Sequence, residues 1–583
     1  QVPPKARCGC WVPQPDSGAH SKSSRLPPQV KIASYGKKDY TIKKRCGVQA
    51  AGQDAGDETM KRRDFCKGLA VTFAAGTLAP AAALPQAGAA TALVGRAVPD
   101  DYYTLWYRSD RCGADLRHDY YYSDSLFDHP ATEYDNQLAL ATLGMAAAAD
   151  CTWESDQRYW MEGEVGRADH IRDAFAKLGF TEVQLFNYTH SLNDTPDTVG
   201  CAIARKTLVR GGRQVTIIGA FLRGSGYGAE WSGNLHAGPG SAHVGFVTAA
   251  RQLVEKIRAY VQASAKRQPL GTLKLWMGGY SRGGGVANLV AARLPAVLPQ
   301  LEKKNTFVYT FAAPASLTAA DCPDLQQDYD NNHAADGSLK KNWGTSNIFN
   351  IVSSGDVIPR ILPAEWGFYR NGNDRFLPST VIPEELQALN DRSAGMEGTP
   401  IDFGRLAVSE ETDAVLRSMM DLFCDRQTYY KGYEDAMRCM LQCATTRTEE
   451  EVTRGIVRDD AAVVAQLRSM ELMQRFPQEK VERCVQAASA LSRPVLEKLG
   501  SAVPLQAQQI VIPMLAVGLC FELQPETVQL VADFVLSTIT VKGQLSGILK
   551  TVLCHFQENY ITVLEAYDPA DHGMTPYTRR EEL

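Results

Sequence analysis

The sequence predicts an α/β fold: a mostly parallel sheet with flanking helices, and a large helical cap inserted ahead of a C-terminal histidine. Three observations predict it. The run Leu273–Leu294 reads as a strand to Met277, a tight turn at Gly278 and Gly279, and a helix from Val286. Between Glu182 and Val352, β-rich and helical runs alternate, the order that builds a parallel sheet through crossover connections. From Glu410 to Thr540 only helical periodicity is found, so the sheet-forming part of the chain is interrupted before it ends.

Length and charge narrow the classes. A chain of 583 residues, 44% hydrophobic and 22% charged, has the make-up of a globular protein with a large core. A net charge of -5 leaves no basic footprint, which argues against nucleic acid and against electrostatic attachment to anionic membranes. Residues 1–59 show neither apolar period and are expected to be a disordered or spurious upstream segment. Met60 then opens a basic stretch, an apolar run from Leu69 to about Leu84, and small residues at Ala87, Ala89, Ala90 and Ala92. That is the composition of a signal peptide over residues 60–92. Arg62, Arg63, Phe65 and Lys67 resemble a twin-arginine core, which implies a secreted or extracytoplasmic protein with translation starting at Met60.

Ten cysteines follow this signal, at 112, 151, 201, 322, 424, 439, 443, 484, 520 and 554. An even number in an exported chain admits disulfides, while apolar helical settings such as that of Cys520 equally suit free thiols. Cys439 and Cys443 lack the C-x-x-C spacing of a zinc knuckle, and neither a metal nor an organic cofactor is expected. The apolar run Ile510–Phe521 is too short to span a bilayer and is broken by Pro513, so no integral membrane segment is expected.

The sheet-bearing core is expected over residues 93–380. Tyr102–Tyr134 reads as an irregular entry with one strand near Arg117–Tyr122, followed by an Ala-rich stretch to Ala149 and an amphipathic helix at Asp169–Leu178. A strand at Glu182–Asn187 comes next, then two β-rich runs, Cys201–Val209 and Val215–Leu222, joined as a hairpin. Arg223–Phe246 is a glycine-rich loop directly after that strand. A helix at Arg251–Val261 and strands at Thr306–Phe311 and Ile348–Val352 complete the alternation.

The chemistry centres on Gly279, Ser281 and Gly283, a G-x-S-x-G in strand-turn-helix context. Two positions without a Cβ let strand and helix approach while Ser281 takes a strained turn, which makes it the candidate nucleophile. Asp356, just past the end of a predicted strand between Gly355 and Pro359, is the candidate acid. The pattern Arg223-Gly224-Ser225, then Trp231, Asn234 and Leu235, then His243, Gly245 and Phe246, resembles the class 3 lipase family. Tyr309–Pro314 and Asn350–Pro363 resemble that family's later segments. The resemblance covers roughly residues 200–370 and the chain's end, and implies an α/β-hydrolase that cleaves lipid-type carboxylic esters. It also implies an oxyanion hole from the backbone amides of Ser225 and Arg282.

Triad order then requires a histidine after Asp356, and only His555 and His572 qualify. His555 lies in an apolar helical run, whereas His572 lies in a loop beside Gly573, so His572 is the candidate base, carried by a terminal core segment at 556–583. His243 precedes the nucleophile and is expected to make a structural hydrogen bond. The interval 381–555 reads as the helical cap, with helices at Glu410–Cys424, Asp459–Phe476, Glu479–Leu499, Gln508–Phe521 and Glu526–Thr540. It serves either to shape an acyl pocket or as a packing or dimerisation module. A catalytically silent binding protein, and a serine acyltransferase or peptidase on the same fold, remain as alternative functions.

Overall fold

The computed structural model shows how the sheet aligns the loops that follow the strands ending at Leu222, Tyr280 and Phe311. It describes residues 97–109, 115–150, 168–188, 197–226, 228–239, 242–318, 345–353, 355–362, 366–377, 409–423, 425–445, 451, 454–499, 505–528, 551 and 554–566. All of these belong to the second of two units, Ala89–Leu583; the first is Gln1–Gly88. The signal peptide, most of the helix expected at Glu526–Thr540, and His572 fall outside the described residues.

The first strands are β1 (Asp101–Arg108) and β2 (Asp115–Tyr122), an antiparallel pair where only one strand was expected. Tyr recurs in both and Trp106 adds to β1, so the segment has β propensity without a clean alternation to reveal it. After α1 (Asn136–Ala148) and α2 (Asp169–Lys177) come β3 (Thr181–Phe186), β4 (Cys201–Arg210) and β5 (Arg213–Leu222). Helices α3 (Gly228–Gly233) and α4 (Val244–Arg267) lead to β6 (Thr272–Tyr280), α5 (Arg282–Val297), β7 (Thr306–Phe311) and the short β8 (Leu317–Thr318). The strands end with β9 (Ile348–Ser353), β10 (Phe368–Tyr369) and β11 (Asn373–Leu377).

Seven of these form one sheet in the order β11-β9-β7-β6-β5-β4-β3. The β4–β5 hairpin and β3 run antiparallel; from β5 to β11 every pairing is parallel. This is the mostly parallel α/β sheet with flanking helices expected from the alternation, and β11 is a strand beyond those expected. Parallel strands are covered on both faces, and β6 shows it residue by residue. Leu273, Leu275 and Met277 face one apolar cluster with α4 and α5, while Trp276 faces the other, built on α1 and the β1–β2 pair. Trp276 is fully buried and its Nε1 donates to Thr142 Oγ1 at 2.7 Å, so truncating it to alanine would cost about 3–5 kcal/mol.

Register fixes where the loops emerge. Leu222 pairs with Gly279, and Tyr280 with Phe311, so β5, β6 and β7 finish side by side. Parallel strands that end together present their following loops along one edge, where α/β sheets hold ligands.

The chain then runs through helices α6 (Ser409–Phe423), α7 (Glu434–Thr445), α8 (Asp460–Ser469), α9 (Gln478–Leu499) and α10 (Leu505–Cys520). These share a separate apolar cluster that also takes in Ala237, Leu362 and Phe368 from the loops of the sheet. Two of those loops are pinned directly. Tyr429 OH donates to Leu235 O at 2.9 Å, Arg426 Nη2 donates to Gly238 O at 2.8 Å, and Thr412 Oγ1 donates to Gly355 O at 2.9 Å. The described cysteines 201, 439, 443, 484 and 520 are free thiols, and burial pushes the Cys439 thiol up to about 12. No described helix is long and apolar enough to cross a membrane. Helix α11 (Gln557–Ala566) returns to the sheet-bearing part and packs its Tyr560, Ile561 and Leu564 into the cluster around α1.

Candidate active site

Ser281 sits at the turn between β6 and α5 with φ 54° and ψ -125°, a conformation that costs an L-residue of order 1–3 kcal/mol. The flanking glycines make it possible. A Cβ on Gly279 would stand 2.4 Å from Gly283 O, and one on Gly283 would stand 2.4 Å from Arg223 O, so any larger residue would push α5 off the sheet. The turn thus lifts the Ser281 hydroxyl above the strand ends.

The imidazole that meets this hydroxyl is that of His555. Its Nε2 is 2.8 Å from Ser281 Oγ, and its Nδ1 is 2.8 Å from Asp356 Oδ2. The apolar run around His555 predicts a helical setting, but α11 begins only at Gln557, and His555 occupies the turn before it. The signal was present in Gln557 and Glu558, since an acidic residue in the first turn marks a helix start. His572, the candidate chosen from loop setting, lies outside the described residues.

Asp356 is fully buried and held from three sides. Oδ1 accepts the Ile358 N–H at 2.9 Å, while Oδ2 accepts both His555 and the Tyr560 hydroxyl, the latter at 2.8 Å. The Tyr560 oxygen in turn accepts the Ser353 N–H at 3.0 Å. Burial, with the Asp356 carboxylate beside it, holds the Tyr560 phenol well above its usual range, so it stays a donor. Tyr560 is not singled out by the sequence, since four residues and a helix start separate it from His555. Tyr280 completes the setting: its hydroxyl donates to His555 O, and its ring lies 5.5 Å from the imidazole. We expect Tyr560→Phe to lower kcat about tenfold with KM unchanged, because an oriented hydrogen bond to a carboxylate is worth about 1.5–3 kcal/mol, part of which survives through Ile358. The loss should be constant between pH 6 and 10 in a rate–pH profile; a defect that disappears above pH 9 would contradict a phenol held protonated.

Ser225 and Arg282, the expected oxyanion donors, flank Ser281. Arg282 is the first residue of α5, where backbone N–H groups point out along the axis and favour negative charge. Its buried side chain turns away from the cleft, Nε donating to Thr198 O and Nη1 to Asn234 Oδ1, both at 2.9 Å. Asn234 Nδ2 then donates to Ser225 Oγ at 2.8 Å, so one side-chain amide links the two residues. Arg223 is locked by Glu230, with Nη1 to Oε2 at 2.6 Å, and its Nη1 also donates to Gly224 O at 3.0 Å. The cleft over these groups is lined by Arg108, Asp150, Gly224, Ser225, Trp231, Tyr280, Ser281 and His555.

His243 caps α4 and takes no part in the cleft. Phe246 N–H donates to its Nδ1 at 3.3 Å, and its Nε2 donates to Asn234 O at 3.0 Å. Burial pushes this imidazole down to about 3, so it is neutral when folded. An unfolded histidine titrates near 6.5, so the unfolded chain gains the proton first and stability falls as pH drops from 6.5 towards 3. His243→Asn keeps a capping oxygen and removes the titration. Its stability deficit against wild type should shrink by roughly 1–3 kcal/mol between pH 7 and 4.5 in denaturant unfolding; a constant gap would refute the assignment.

No group of three His, Cys, Asp or Glu side chains suited to a metal ion occurs among the described residues. Residues 225–366 match the family Lipase (class 3). Among curated proteins none matches the chain. Solved structures that resemble it include the Rhizomucor miehei lipase propeptide complex, 20% identical, covering 42% of this chain and 68% of that one with a TM-score of 0.28. Lipase II from Rhizopus niveus is 16% identical, covering 42% and 80% with a TM-score of 0.27. The lipase from Rhizopus microsporus var. chinensis is 16% identical, covering 42% and 76% with a TM-score of 0.28.

Proposed function

We propose that this chain, whose residues 225–366 carry the class 3 lipase pattern, is a serine hydrolase of lipid-type carboxylic esters acting through Ser281, His555 and Asp356. One observation carries the reading: a single imidazole lies 2.8 Å from the serine hydroxyl and 2.8 Å from a fully buried carboxylate.

The hydrogen bonds support these roles. Asp356 accepts the Nδ1 proton, which leaves Nε2 as the acceptor for the Ser281 hydroxyl. As Oγ bonds to the ester carbonyl carbon, its proton passes to Nε2, and the buried carboxylate offsets the imidazolium charge. The carbonyl oxygen becomes an oxyanion facing the amides of Ser225 and Arg282. Collapse breaks the bond to the alcohol, which leaves with the proton from Nε2. Water then repeats the sequence on the acyl-enzyme, its proton going to His555, and releases the carboxylic acid and free Ser281.

The export expected from residues 60–92 is part of the same proposal and rests on that stretch of sequence alone. The reading is tested by treating the protein with a fluorophosphonate and assaying carboxylic esters of graded acyl length beside an amide. Labelling at Ser281 and a preference for esters are expected. A folded protein that neither labels nor hydrolyses would be a silent binding protein, and amide cleavage or acyl transfer outpacing hydrolysis would indicate the peptidase or acyltransferase.

A further inference from the structure

Asp150 has no place in the sequence pattern of the site, yet its carboxylate joins both halves of it. It lies just beyond the C-terminal end of α1. Oδ1 accepts the Gly224 N–H at 2.9 Å, and Oδ2 accepts the Gln557 side-chain amide. Gly224 immediately precedes Ser225, and Gln557 follows His555 by two residues. A Cβ on Gly224 would stand 3.5 Å from Asp150 Oδ1 and 3.9 Å from Ser281 Cβ, so Gly224 lies against both the carboxylate and the turn of Ser281.

We propose that Asp150 is a positioning residue for the hydrolytic reaction, a carboxylate that holds the oxyanion-hole loop and the histidine turn in register across Ser281. The inference rests on the serine hydrolase reading. The loop after β5 leaves the sheet at Leu222, so beyond Arg223 no strand ladder sets its direction. Gly224 is fixed instead from both sides, its C=O by Arg223 Nη1 at 3.0 Å and its N–H by Asp150. In a trans peptide the C=O and the next N–H point in opposite directions, so fixing the carbonyl of Gly224 aims the amide of Ser225. Gln557 anchors the other oxygen of Asp150 to the first turn of α11, where the histidine segment ends. Both oxygens being engaged by N–H donors, the carboxylate acts on geometry, and its loss lets the amide and the imidazole drift independently. Donors displaced by about 1 Å lose on the order of a hundredfold in rate.

The test measures kcat and KM for a short-chain ester, and the rate of fluorophosphonate labelling, in wild type, Asp150→Ala, Asp150→Asn and Gln557→Ala. Asp150→Ala should lose about 50- to 100-fold in kcat with KM within about threefold, and labelling should slow in parallel. Asparagine keeps an oxygen for the Gly224 N–H, and its amide can donate to Gln557 Oε1, which is buried without a partner; it should recover to within about fivefold of wild type. Asp150→Ala within threefold of wild type, a loss confined to KM, or asparagine as slow as alanine would each overturn the proposal. If Asp150→Ala shows no cooperative unfolding transition, Gln557→Ala decides: a fivefold or larger fall in kcat supports the link, and unchanged kcat overturns it. A wild type that neither hydrolyses nor labels removes the hydrolase reading and this inference with it, whereas an active wild type with a harmless Asp150→Ala removes this inference alone.

Discussion

Ser281→Ala is expected to abolish fluorophosphonate labelling and to cut ester turnover by about 10⁴-fold or more, down to what the oxyanion hole and binding sustain without a nucleophile. The substitution removes one oxygen from a position whose backbone is already fixed by packing. The Ser281 N–H donates to Phe311 O at 2.9 Å, and its C=O accepts the Gly285 N–H at 3.1 Å, neither of which involves the side chain. The φ of 54° is as strained for alanine as for serine, so the unfolding midpoint should move little. Loss of turnover without loss of stability separates a chemical role from a structural one. A Ser281→Ala protein that labels at the wild-type rate would place the nucleophile elsewhere and end the mechanism as drawn.

How far the sequence reveals this site depends on the range of the forces that make it. The strained turn at Ser281 was legible because Gly279, Ser281 and Gly283 are local: steric limits on a tight turn leave a mark within five residues. Asp356 was legible for the same reason, standing one turn beyond a strand. The alternation of β and helical runs specified the parallel part of the sheet, and the β4–β5 hairpin followed from two β-rich runs around Gly211 and Gly212. Beyond those local marks the reading failed where partners are distant. His555 is 199 residues from Asp356, and nothing in its neighbourhood records which residue it will meet. Its apolar neighbours suggest a helix interior, whereas in the structure the helix starts only at Gln557 and His555 stands in the turn before it, with both ring nitrogens engaged. Asp150 and Tyr560 are likewise polar residues whose partners arrive only through tertiary contact. The same holds for the clamp from Arg426, Tyr429 and Thr412, since a helical periodicity records that a face is buried but not which loop it covers.

The two histidines provide the second large effect. His555→Ala is expected to lower kcat by about 10³- to 10⁵-fold at neutral pH, while His572→Ala stays within about threefold of wild type. His555 Nε2 is the group at hydrogen-bonding distance from Ser281 Oγ, and without it the hydroxyl has no base as it attacks. The variant also leaves Asp356 without one of its donors. Ile358 N–H and Tyr560 OH still serve the carboxylate, so the fold should survive with a cost of roughly 1–3 kcal/mol. Small free imidazole can enter the space vacated between Ser281 and Asp356, and added to the assay it should restore part of the lost rate in a saturable manner. It should not stimulate Ser281→Ala, which has a base and no nucleophile. The reverse pattern, a crippled His572→Ala beside a nearly active His555→Ala, would mean that the geometry at 2.8 Å is a resting arrangement and that the working base comes from the terminal segment. Measuring both variants on one ester at one pH decides between them, because the two assignments predict opposite rankings separated by at least two orders of magnitude in rate.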